Sequence, residues 1–264
     1  MRTSLSANEL KIAACISMFM DHLGMIIFPD VLLYRYIGRL AFPIFAFFIA
    51  EGVIHTSDKL KYFLRVAVLG LICQAAYVIY AVYILRDFSE LYLNVLITLA
   101  LGILVCYAWQ LAIKKKIYFI LFLALVLAVA AFNLLCSISS GAFAEGTEYL
   151  ITSAYGGRFV ISLDYGFVGV MLPWCCMVVS KKYDGPEDET ESRAKLYRFG
   201  MMAAGLLMLS IQLLDTMNFQ CLSLLALPLL WLYDGRRGSR HLKYFFYIFY
   251  PAHLTFIYLI SLLL

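Results

Sequence analysis

Charge is what this sequence has least of. Asp, Glu, Lys and Arg make up 14% of its 264 residues while 64% are hydrophobic, against roughly 25% and 45–50% in soluble domains. Cys15, Cys73, Cys106, Cys136, Cys175, Cys176 and Cys221 are scattered through apolar runs without Cys-x-x-Cys spacing. That pattern implies neither a disulfide framework nor a metal site. The four histidines show no paired ligand spacing, and there is no internal repeat or low-complexity tract. The net charge of +4 does not point to a nucleic-acid partner, because the basic residues sit at the ends of apolar runs. With a mean hydropathy of +0.86, the chain cannot be a soluble domain. It reads as one all-α, polytopic helical membrane domain over residues 1–264, with the lipid bilayer as its first partner.

What is present, against that background, is a small set of ionisable residues inside long hydrophobic runs. With about 20 residues needed per span, nine helices are expected, at roughly 10–28, 37–55, 62–85, 91–113, 117–138, 162–180, 197–215, 218–233 and 244–263. The eighth is short enough to be re-entrant. The first is kept as a mature helix rather than a signal peptide, since it contains Asp21-His22 and no small-x-small cleavage site follows. The longest irregular stretch runs from about 139 to 161.

The positive-inside rule then orients the chain with its N-terminus cytoplasmic. Of the 21 Lys and Arg residues, this arrangement puts only Arg35, Arg86 and Arg158 in outer loops, with Arg39 inside the second helix. At a rise of ~1.5 Å per residue, Asp21 and His22 lie about 10 Å below the outer boundary. Arg39, Asn94, Asn133, Asp164, Tyr165 and Asp215 fall toward the same side, and His253 near mid-membrane. Glu51 and His55 mark the cytoplasmic end of the second helix.

A charge at membrane depth costs at least ~2.5–3.5 kcal/mol on insertion scales, so such residues face a protected interior and usually mark a site. Asp21 and Arg39 are at compatible depths on neighbouring helices. One reading is an acid–base centre in which His22 abstracts a proton and Arg39 holds a carboxylate, carbonyl or phosphate. The other is a buried structural ion pair fixing helix register. Adjacent helical positions diverge by about 100°, so Asp21 and His22 cannot both aim at one spot. His253, two residues after Pro251, is either a second base or a structural hydrogen-bonding partner. Pro43 is expected to bend the second helix, and His55 reads most simply as an interfacial anchor.

The stretches Met20-Asp21-His22, Ile37-Gly38-Arg39-Leu40-Ala41-Phe42-Pro43-Ile44-Phe45-Ala46-Phe47 and Glu51-Gly52-x-x-His55-Thr56 carry a family resemblance. So do Leu93-Asn94-Val95-Leu96-x-Thr98-Leu99-x-x-Gly102, Asp164-Tyr165-Gly166-x-x-Gly169-Val170 and Lys243-Tyr244-Phe245-Phe246-Tyr247-x-Phe249-Tyr250-Pro251-x-His253-Leu254. In this order the chain resembles the TraX family, named for a conjugation-plasmid protein that acetylates the N-terminus of pilin. More loosely it is similar to membrane-bound acyltransferases that move acetyl from cytoplasmic acetyl-CoA to an acceptor across the membrane. The resemblance implies a bacterial inner-membrane acetyltransferase with His22 as catalytic base and Asp21 beside it. Arg39, Asn94, Asp164 and His253 would form the supporting shell, and Glu51, His55 and Tyr165 complete the motif residues expected near substrate. Lys59, Lys61 and Arg65 are placed to meet acetyl-CoA, a co-substrate, with no metal involved. The acceptor stays open between a protein N-terminus, a glycan and a small metabolite. Two other readings stand beside this one: a secondary transporter, which would also bury Asp, His and Arg, and a non-catalytic assembly factor for conjugation or pilus machinery.

Overall fold

The computed structural model describes residues 4–80, 90–141, 160–177, 187–214, 219–236, 238 and 242–263. Among them the chain is almost wholly helical. The helices are α1 (Ala7–Ile26), α2 (Leu32–Gly38), α3 (Ala41–His55), α4 (Lys59–Tyr80), α5 (Val95–Lys114), α6 (Ile117–Gly141), α7 (Gly166–Met177), α8 (Glu187–Gln212), a 3₁₀ segment (Gln220–Leu225), α9 (Ala226–Trp231) and α10 (Leu242–Ser261). Two short strands, β1 (Glu90–Leu93) and β2 (Val160–Leu163), complete the list. Six of these stretches are long and apolar enough to cross a membrane: Leu32–His55, Lys59–Tyr80, Val95–Lys114, Ile117–Cys136, Arg193–Gln212 and Tyr244–Ser261. Gly166–Met177 and Gln220–Trp231 are shorter apolar helices. The expected irregular region at 139–161 falls almost entirely outside the described residues, as do Arg86, Arg158 and Asp215.

The chain divides into two compact units, residues 1–51 with 175–264, and residues 52–174. In the first, α1 opens at Ser6, whose hydroxyl accepts from Glu9 N while the Glu9 carboxylate accepts from Ser6 N at 2.7 Å, a reciprocal capping box. The residues before it are tied to those after α9: Leu5 N donates to Leu232 O at 2.8 Å, Asp234 N to Leu5 O at 3.2 Å, and Ala7 N to Arg236 O at 2.9 Å. Beside this tie Asp234 accepts from Arg236 Nε at 2.6 Å and Arg236 N at 2.9 Å, and these bonds hold its carboxyl down at about 2.

The core of this unit is α3. Phe42, Ile44, Ala46, Phe47 and Ala50 are all buried, as expected of a helix apolar on every face. Phe47 and Phe48 meet the Tyr233 ring edge-on.

The expected single helix over 37–55 is instead two. α2 ends at Gly38, Arg39 and Leu40 form a turn, and α3 begins at Ala41. Pro43 therefore does not bend a helix interior. It lies in the first turn of α3, where backbone N–H groups have no intrahelical partner and proline costs little. Arg35, expected in an outer loop, belongs to α2. The orphan carbonyls at the end of α2 are met from α1: Ser17 Oγ donates to Ile37 O at 2.6 Å and to Gly38 O at 3.2 Å. Gly38 is required here by closeness, since a Cβ on it would lie 2.2 Å from Asp21 Oδ1.

In the second unit, β1 and β2 pair in parallel with Glu90 opposite Val160 and Leu93 opposite Leu163. The expected helices at 91–113 and 162–180 are thus each preceded by a strand. Strand ends position the helix starts: Asp164 N donates to Leu93 O at 3.0 Å, and Thr98 Oγ1 of α5 donates to Asp164 O at 2.6 Å. Val105, Ala112, Phe122, Val129, Leu163 and Val170 form its buried cluster, flanked by Trp109 and Trp174. α6 buries little of itself and presents Ile117, Ile120, Leu121, Leu127, Leu134 and Leu135 outward, the surface expected of a helix whose solvent is hydrocarbon.

Candidate functional site

The polar centre of the first unit is built on α1. Asp21 and His22 are consecutive, so their side chains leave the helix about 100° apart, and each is met by a different neighbour. Asp21 faces α2. Its carboxylate takes Arg35 Nη1 at 3.0 Å on one oxygen and Arg39 Nη2 on the other. One turn separates Arg35 from Arg39, so both guanidinium groups come from one side of α2 and its terminal turn. Arg39, only 1% exposed, also donates through Nε to Arg35 O at 3.2 Å and through Nη1 to Gln220 Oε1 at 3.1 Å. Its guanidinium lies over the Phe219 ring at 5.5 Å.

His22 faces α10. His253 Nε2 is 3.2 Å from His22 Nδ1, and the rings meet edge to face with centroids 5.0 Å apart. His253 Nδ1 is 2.8 Å from Phe249 O, and His22 Nδ1 is 2.9 Å from Met18 O. Carbonyls only accept, so both rings carry their proton on Nδ1. His253 Nε2 is then an acceptor, and the His22 Nδ1–H is shared between it and Met18 O. His22 Nε2 is left with its lone pair. Phe249 stacks on His253 at 4.7 Å and 10°, fixing the ring plane. Pro251 falls mid-way along α10, and Thr255 Oγ1 donates to its carbonyl at 2.9 Å.

Of the remaining expected site residues, Glu51 belongs to the first unit and the others to the second. Glu51 lies ten residues beyond the start of α3, roughly 15 Å in helical rise, and pairs with Arg198 at 2.5 Å. Arg198 also donates through Nε to Cys176 O at 2.7 Å and lies 4.3 Å above the Phe47 ring. Arg198 thus ties Glu51, Phe47 and Cys176 together within the first unit. His55 ends α3 at an exposed position, and Lys59 Nζ donates to Thr56 O at 3.0 Å. Lys61 and Arg65 are exposed one turn apart on α4.

In the second unit, Asn94 is the N-cap of α5 and is fully engaged. It accepts from Leu96 N at 3.0 Å, and its Nδ2 donates to Gly70 O at 2.9 Å and Gln74 Oε1 at 3.0 Å. Asp164 continues the β2 ladder, and Tyr165 takes a left-handed conformation at φ 61° before Gly166. Asn133 Oδ1 caps α7 by accepting from Phe167 N at 3.1 Å. An open apolar groove of about 630 Å³ between α8 and α9, lined by Tyr197, Phe199, Gly200, Pro228 and Trp231 among others, includes none of the expected site residues.

Of the expected residues, then, Asp21, His22, Arg39 and His253 come together. Arg35, Gln220 and Ser17 join them without having been anticipated. The Arg35–Arg39 spacing of one turn was the available signal for the first; nothing local marked Gln220 or Ser17.

The chain is 28% identical over 273 residues to a "probable fimbrial assembly protein FimC, serogroup H1" of Dichelobacter nodosus, covering 95% of this chain and 93% of that protein. A shorter match, 34% over 109 residues and 41% of this chain, is to "uncharacterized protein RP591" of Rickettsia prowazekii. No solved structure matches. The family model described as "TraX protein" matches residues 6–155 and 147–261. Those two spans take in α1 with Asp21 and His22, the α2–α3 turn with Arg39, and α10 with His253. The chain is a member of the TraX family.

Proposed function

We propose that this protein is a transmembrane acetyltransferase of the inner membrane, with His22 as general base and acetyl-CoA as cytoplasmic donor. The observation that carries the reading is the pairing of His22 with His253. Two carbonyl acceptors orient both rings so that His22 Nε2 keeps its lone pair. In the proposed step, Nε2 takes a proton from an acceptor amine or hydroxyl. The acceptor atom forms a bond to the acetyl carbonyl carbon, the thioester C–S bond breaks, and CoA leaves as a thiolate that is then protonated. His253 acts through His22 by fixing its tautomer. Arg39, held by Asp21 and Gln220, supplies positive charge beside the acceptor. Lys61 and Arg65, with Lys59, are the groups proposed to meet the CoA phosphates.

The name of the Dichelobacter relative brings fimbrial assembly into the reading, with a subunit N-terminus as one candidate acceptor beside glycans and metabolites. Nine crossings with a cytoplasmic N-terminus remain the proposed topology. The test is transfer of labelled acetyl from acetyl-CoA to envelope material by membranes containing this chain. Transfer that depends on the chain supports the reading. Its absence, with solute uptake by reconstituted vesicles lacking acetyl-CoA, would establish a transporter instead.

A further inference from the structure

The 3₁₀ segment carries two buried polar side chains, Gln220, which is bonded to Arg39, and Ser223 three residues on. Gln220 and Ser223 are both fully buried. Gln220 Oε1 accepts from Arg39 Nη1, and a guanidinium cannot accept, so this bond fixes the amide with Nε2 turned away from Arg39. That Nε2 and Ser223 Oγ meet no hydrogen-bond partner among the described residues. In a 3₁₀ helix the side chains at i and i+3 eclipse, so Gln220 and Ser223 project along one edge, one above the other. Burying a polar group with no partner is costly, and two on one edge of the segment, one of them bonded to a buried arginine, mark a place where an acceptor belongs.

We propose that Gln220 Nε2 and Ser223 Oγ form a donor subsite for a neutral carbonyl oxygen of the bound substrate, an amide carbonyl being the best fit. Both donors are uncharged, which suits a carbonyl with its two lone pairs better than a phosphate or carboxylate. The inference deepens the acyl-transfer reading by giving the acceptor a second recognised group besides its nucleophile, and it can be tested without turnover.

The experiment is thermal unfolding of the full chain in detergent or nanodiscs, with N-acetylglycinamide as probe, since it has amide carbonyls and no amine to acetylate. Addition at millimolar levels should raise the Tm of the unaltered chain. Ser223→Ala removes a buried hydroxyl that serves no structural bond, so the unliganded Tm should rise by about 2–4 °C, the shift expected per kcal/mol at this size. The probe-dependent increment should be lost. Gln220→Glu keeps the oxygen that accepts from Arg39 but removes the Nε2 donor, and should also lose the increment. A fall in Tm for Ser223→Ala would assign the hydroxyl to a structural bond, a bound water included, and overturn the proposal. So would a probe increment absent from the unaltered chain or unchanged in both variants. If the shifts hold while no acetyl transfer is found, the subsite stands and the acetyltransferase reading falls.

Discussion

His22 donates its Nδ1 proton toward His253, 3.2 Å away, and so turns its remaining lone pair outward from α10. The two residues are 231 positions apart in sequence, yet the His22 proton is shared with the His253 ring. Without His253, the His22 ring loses one of the two acceptors that select its tautomer.

This gives different expectations for the two histidines. His22→Ala should reduce labelled acetyl transfer by about 10²–10⁴-fold, the usual contribution of a general base, with expression and membrane insertion intact. His253→Leu should lower the rate less, and His253→Gln should recover part of the loss, because its amide oxygen can accept from His22 Nδ1. Undiminished turnover by His22→Ala would remove it from catalysis.

The Asp21–Arg39 pair should behave as a unit. Arg39 is buried and Asp21 nearly so, and stranding one member of such a pair costs about 3–5 kcal/mol. Asp21→Leu and Arg39→Leu are each expected to lower stability strongly. The Asp21→Leu, Arg39→Leu double variant should be less destabilised than the sum of the singles, as a double-mutant cycle of unfolding midpoints would reveal. Simple additivity would mean that the contact carries no coupling.

Glycine tolerance separates a tight position from an open one. Gly38→Ala would drive a methyl to 2.2 Å from Asp21 Oδ1, and α1 and α2 cannot separate without losing the Ser17 bonds. Severe loss of folded protein is expected. Gly200→Ala on α8 meets nothing within 4 Å, and should gain roughly 0.5–1 kcal/mol from helix propensity. Comparable yields of folded material for the two would contradict the packing described.

Acid should loosen the tie between the N-terminal residues and the segment after α9. Asp234 has its carboxyl lowered to about 2 by the Arg236 bonds. Its contribution to stability is therefore complete above the unfolded value near 3.9 and declines as pH falls toward about 2. The Tm gap between the unaltered chain and Asp234→Asn should be constant from pH 7 to 5 and shrink below 4. A gap independent of pH would show that the ionised carboxylate is not what stabilises this corner.

Much of the polar centre was legible because lipid makes ionisable residues conspicuous: Asp21, His22, Arg39 and His253 stand out in runs where nearly every neighbour is apolar. The 100° divergence of Asp21 and His22 also foretold that they would serve different partners. The α2–α3 break was not legible, because 37–54 is apolar but for Arg39 and Glu51, and the turn is made by Arg39 itself, held by tertiary bonds to Asp21 and Gln220. β1 and β2 were not resolved from the adjoining helices, since a run of four residues has no resolvable period. Asn94 and Asp164 stood out as polar residues at the starts of apolar runs, and the structure gives them a helix cap and a ladder end. Glu51 found its partner in Arg198, far along the chain, where no local pattern could announce it.

The parallel register of β1 with β2 also dictates an order of events during biosynthesis. Because Glu90 faces Val160, the first strand leaves the ribosome with its ladder unmatched while α5 and α6 are still being made. Residues 95–141, which form both of those helices, are synthesised before the second strand exists to close the ladder. Closure therefore comes late, and the nascent chain has to keep an unpaired edge from finding another partner in the meantime.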